Sequence, residues 1–112
     1  MISIYAAQPG ILLQNLKKAA RLQKISPWEC DNEGDFTQAR VKERRKAWLR
    51  PSAGGNVLNF SFLGPQDVVL DQAAYAFYHG RFLEMLVTHF ADQFAEASVT
   101  AQPDGSDRFL AA

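Results

Sequence analysis

The strongest constraint in this sequence is a stretch of helical periodicity running from about Asp71 to Glu96. Asp71 is a good N-cap residue. Stepping about 100° per residue from Phe82 places Tyr75, Tyr78, Met85, Leu86, His89 and Phe90 on one half of the cylinder, and Arg81, Glu84, Thr88 and Asp92 on the other. A helix with so much aromatic surface on one side must cover an apolar layer that the rest of the chain supplies. Unbroken to Ala95 it would be roughly 36 Å long, and Gly80 is the expected place for a bend, since glycine costs about 1 kcal/mol relative to alanine inside a helix.

The preceding segments read as that layer. Ile2-Ser3-Ile4-Tyr5 alternates like a short strand that stops at Gln8-Pro9-Gly10. From Ile11 to Lys24 the spacing turns helical, with Leu12, Leu16 and Ala19 on one side, and Ser26-Pro27 closes the segment. Ala47 to Arg50 and Val57 to Leu63 flank a Pro-Ser-Ala-Gly-Gly-Asn loop, the pattern of a hairpin. Leu58, Phe60 and Phe62 should face the core and Asn59 and Ser61 the opposite side. Ala97 to Ala101 adds an edge strand. The expected fold is therefore α+β: an antiparallel sheet of about four or five strands with two helices, the longer C-terminal helix packed across one face. Residues 1–101 form the single domain, and 102–112, carrying Pro, Asp, Gly and Ser, read as a flexible tail.

Composition agrees with a packed interior. Of 112 residues 47% are hydrophobic, with eight Phe, three Tyr and two Trp, enough for one core without disulfides or metal. Cys30 is the only cysteine, so no internal disulfide can form, which fits a reducing compartment. The N-terminal stretch has neither the basic region of a signal peptide nor the length of a spanning helix, so a soluble, cytoplasmic protein without membrane association is expected.

Formal net charge is zero, but residues 1 to 50 hold ten Lys or Arg against five Asp or Glu, and residues 51 to 112 hold two against seven. Much of the excess lies between residues 36 and 49, where composition favours a helix and period-two spacing favours extended structure. Read as a strand, Arg40, Lys42, Arg44, Lys46, Trp48 and Arg50 share one side, a basic comb with an aromatic that could follow phosphates and stack on a base. The acidic residues Glu29, Asp31, Glu33 and Asp35 mirror it about a point between Thr37 and Gln38. In a hairpin of that register each acid would neutralise a base, and Gly34 argues instead for a tighter turn and a shifted register. Nucleic-acid binding is the alternative function and internal pairing its structural counterpart.

Chemistry-bearing motifs are sparse. Asp31, Glu33 and Asp35 start like a calcium loop, but Phe36 stands where glycine is required and Lys42 where the bidentate glutamate belongs. The two histidines lie ten residues apart on one helix, about 15 Å of rise, too far to share a metal, and no Cys or His spacing suits zinc. No cofactor or metal is expected. A small enzyme would have to use His79 as acid or base, with a positioned partner; His89 falls in the middle of the apolar face, the place of a core histidine. The outward side of the long helix carries Ala73, Ala76, Gly80, Val87 and Ala91 with Phe77 alongside, a surface suited to a homodimer or another protein partner. A non-enzymatic interaction module that self-associates there is the leading expectation.

Overall fold

The computed structural model describes residues 1–42 and 46–111. Ten elements follow in order: β1 (Ile2–Tyr5), α1 (Pro9–Arg21), β2 (Trp28–Cys30), β3 (Phe36–Gln38), β4 (Trp48–Gly54), β5 (Val57–Leu63), β6 (Val69–Leu70), α2 (Gln72–Phe90), β7 (Glu96–Val99) and β8 (Leu110–Ala111). Six strands make one antiparallel sheet in the order β2-β3-β4-β5-β1-β7, and β6 pairs with β8 in a small parallel ribbon. The fold is thus α+β, with one strand more than the upper expectation, because β3 and β4 are separate strands at the two ends of the segment that read as one extended arm.

Register follows the pleat. Ile2 opposes Phe60 on one side and Val99 on the other, and Ile4 opposes Leu58 and Ala97. Ile2, Ile4, Leu49, Leu58, Phe60 and Phe62 are fully buried, and they form one apolar cluster with Leu12 and Leu16 of α1 and Tyr75, Tyr78, Phe82 and Leu86 of α2. Alternate residues, including Ser3, Asn59, Ser61 and Arg50, point the other way, and Ser3 Oγ donates to Asn59 Oδ1 at 2.8 Å. Edge-to-face aromatic contacts hold the layers together: Phe82 lies 4.7 Å from Phe60 and 4.9 Å from Trp28 between centroids, pairings that add about 0.5–1.5 kcal/mol beyond area burial.

Both helices end where local chemistry stops them. α1 closes in a Schellman turn: Gln23 N–H donates to Ala20 O and Lys24 N–H to Ala19 O, with Gln23 at φ +59, a left-handed position usually given to glycine. α2 begins at Asp71, whose carboxylate accepts from Ala74 N–H at 2.9 Å. It passes through Gly80 as one helix and ends at Phe90, not near Glu96. Gln93 N–H bonds Phe90 O and Ala95 N–H bonds Tyr5 O, so the chain turns into β7 instead of extending the helix.

Of the two registers the sequence offers, the described residues take the shifted one that Gly34 argues for, not the mirror of the charges. Trp28 opposes Gln38, Glu29 opposes Thr37 and Cys30 opposes Phe36. The turn between them is closed by Asp31 Oδ1, which accepts the N–H groups of Glu33 and Asp35, and by Gly34 at φ +87. Those bonds move the hairpin centre to residue 33, away from the mirror point of the charges. β3 ends at Gln38 and β4 begins at Trp48, and Arg40 sits in the turn that follows β3, with Lys42 outside any strand.

The C-terminal segment runs back along the end of β5. Arg108 N–H bonds Phe62 O, Gly64 N–H bonds Arg108 O, and Phe109 packs edge-on to Phe62 at 5.0 Å. Asp107 accepts from Phe62 N–H, Asp104 N–H and the Met1 ammonium. Among the described residues no helix is long and apolar enough to cross a membrane.

Candidate functional site

Four residues of the basic comb divide between two surfaces. Arg40 and Lys42 border α2, beside Phe77. Trp48 and Arg50 lie on β4 with their side chains on the sheet face opposite buried Leu49, and Arg44 falls outside the described residues. Arg50 is committed within the chain: its Nε and Nη2 reach the two carboxylate oxygens of Asp35 at 3.0 and 2.8 Å. That bidentate bond is also what raises the Arg50 pKa above its usual value. Internal pairing of acid with base therefore occurs at Arg50 through a fork geometry, although not in the comb register.

His79 is buried at 2% exposure. Its ring stacks on Tyr75 at 3.8 Å, and Nδ1 lies 2.7 Å from the Tyr75 carbonyl oxygen. That contact fixes the proton on Nδ1, so Nδ1 donates and Nε2 is left as a bare acceptor, without a partner among the described residues. Burial drives the His79 pKa down to about 4, against the pull of the Tyr75 carbonyl, so the ring is neutral near pH 7. Cys30 likewise has its pKa raised by burial, partly offset by Lys17, which keeps the thiol protonated. No group of three or more metal-ligating side chains assembles among the described residues.

His89 overturns the helical-wheel expectation. It lies on the inward side of α2 yet is exposed, because the last turns of the helix overhang a cleft. Ile25, Ser26, Pro27 and Trp28 form one wall of this cleft, and Phe77, Arg81, Glu84, Met85, Thr88 and His89 the other. Gln38 and Arg40 lie between them, and the volume is about 490 Å³. Periodicity identifies which side of a helix faces inward; it carries no information about whether the layer beneath extends that far.

The outer face of α2 is open along its length. Ala73, Ala76, Gly80 and Ala91 are exposed, Phe77 is 38% exposed and Val87 59% exposed. Arg81 lies over the Phe77 ring at 5.8 Å and bonds Glu84 at 3.2 Å. A Cβ placed on Gly80 would meet nothing within 4 Å, so the fold itself does not require glycine there. Exposed positions 73, 77, 80, 84, 87 and 91 alternate steps of four and three, the spacing of a helix-packing seam. Compared with protein families, with curated proteins and with solved structures, the chain matches none.

Proposed function

We propose that this chain is a non-enzymatic protein-interaction module that associates with a second copy of itself through the outer face of α2. The observation that carries this is the exposure of Phe77 and Val87 on a helix whose inner face already fills the core. Large apolar side chains grouped on a helix surface gain by leaving water, about 25 cal/mol per Å², and the four-three spacing suits another helix at a shallow crossing angle.

Charge favours a copy of the same chain in the antiparallel sense. With Gly80 opposite Glu84 of the other copy, Phe77 faces Val87 and Ala73 faces Ala91. Each Glu84 then lies between its own Arg81 and that of the neighbour, so two acids and two bases cancel around the two-fold axis. Gly80 leaves the space that Glu84 needs, which accounts for a glycine the monomer fold has no use for.

Sedimentation velocity over a concentration series tests the proposal. The wild type should shift from monomer to dimer as concentration rises, and Phe77→Glu should remain monomeric while keeping its circular dichroism spectrum. A wild-type protein that stays monomeric into the hundreds of micromolar, on the order of −5 kcal/mol or weaker in association free energy, would sink the self-association reading.

A further inference from the structure

The cleft under the C-terminal half of α2 is lined by a polar side chain that the fold leaves unused. Gln38 is 5% exposed, on the last residue of β3 and directly opposite Trp28 in the register. Its amide forms no hydrogen bond among the described residues, and it borders the cleft. Its polar tip is not sealed from water, since among the described residues the fully buried side-chain polar atom without a partner is His79 Nε2, so the amide faces the solvent of the cleft. A ligand that displaces that water meets an amide whose donors and acceptor are unused within the fold.

The surroundings of Gln38 specify what would enter. Trp28 lies beside it, 3% exposed and edge-on to Phe82, so its ring is fixed. Met85, 7% exposed, and Ile25, 3% exposed, add apolar wall. At the rim are Arg40, which is exposed and has no acidic partner among the described residues, and Arg81, already engaged with Glu84. A volume of about 490 Å³ is within the usual range for a small-molecule site. Apolar walls, one amide on the floor and one uncommitted guanidinium at the mouth match a flat apolar body carrying a single carboxylate.

We propose that this cleft binds a small aromatic carboxylate. The ring lies against Trp28 and Met85, and the carboxylate accepts from the Gln38 amide NH₂ and the Arg40 guanidinium. Arg40 supplies the charge-assisted bond and Gln38 the direction. Glu84 on the opposite rim repels a second negative charge, so monoanions are preferred to dianions. The cleft shares Phe77, Arg81 and Glu84 with the α2 face proposed for self-association, so the two readings are separated through Gln38 and Arg40, which take no part in that helix contact.

The test uses 2-naphthoate as probe and the intact chain carrying Trp48→Phe, so that emission reports Trp28. Saturable change in Trp28 emission is expected, with 2-naphthylmethanol binding at least tenfold more weakly. Arg40→Ala, an exposed substitution that leaves the core untouched, should weaken 2-naphthoate at least fivefold. Gln38→Leu, which keeps the volume, should weaken it comparably while keeping the circular dichroism spectrum of the wild type. Absence of saturation at millimolar probe, equal binding of the alcohol, or unchanged affinity in both variants would overturn the assignment. Loss of dimerisation with naphthoate binding intact would remove the self-association reading and leave this one standing.

Discussion

Protonation of His79 should be the main acid-sensitive element of this fold between pH 7 and 5. The ring is 2% exposed, stacked on Tyr75 and lacking a partner for Nε2 among the described residues, and its pKa falls from 6.5 to about 4. A histidine with a depressed folded pKa contributes stability that is present above its unfolded pKa and is lost as pH falls toward the folded value. The gap from 6.5 to about 4 corresponds to about 3 kcal/mol in full, at about 1.36 kcal/mol per pKa unit. Nearly 2 kcal/mol of it, on the order of a fifth to a third of a small domain's stability, is lost between pH 7 and 5. The assay is urea unfolding followed by tryptophan emission, at pH 7 and pH 5, for wild type and His79→Phe. Phenylalanine keeps a stacked ring but cannot titrate, so subtracting its pH dependence cancels every other group in the chain. The wild type should lose about 2 kcal/mol more than the variant across this interval. Parallel losses in the two proteins would refute the reasoning and would mean that Nε2 finds a proton partner on opening.

Three further substitutions probe the frame. Gln23→Gly should stabilise the fold by about 1 kcal/mol in urea melts, because it relieves a side chain held at φ +59 in the Schellman turn. Gly64→Ala should cost about 1–3 kcal/mol, since its new Cβ would lie 2.8 Å from both Leu70 Cδ1 and Phe109 Cβ; an unchanged melting temperature would show that the C-terminal segment yields easily. Gly80→Ala should raise the thermal stability of dilute protein by about 1 kcal/mol, yet weaken self-association in sedimentation, because the methyl group occupies the space assigned to Glu84.

Where burial repeats with the period of an element, the sequence was legible. Tyr75, Tyr78, Phe82, Leu86 and Phe90 mark the inner face of α2, and Leu58, Phe60 and Phe62 that of β5, all of them buried as expected. In the charged segment Gly34 was the legible signal, and the Asx-type turn set by Asp31 and Gly34 outweighed the spacing of the charges. Composition could not show that Asp35 pairs with Arg50 across 15 positions. The histidines exchanged environments for a similar reason. His79, at the margin of the wheel, is sealed by Tyr75 and Phe62, whereas His89, at its centre, overhangs the cleft. Gln38 carried one signal that could have been noticed: a polar residue directly following the buried Phe36-Thr37 pair, at a position opposite a tryptophan.

The sheet order has a consequence for the way this chain is made. β1 leaves the ribosome first but is an interior strand, flanked by β5, which ends at residue 63, and β7, which ends at residue 99. Its backbone groups on the β7 side stay unpaired until residue 99 has been synthesised. Pairing across such separations is slow and leaves strand edges open to other chains meanwhile. For the nascent protein, the hairpin of β2 and β3 and then that of β4 and β5 are the parts of the sheet able to close by local contacts, and Ile2 and Ile4 join a layer whose other members were translated after them.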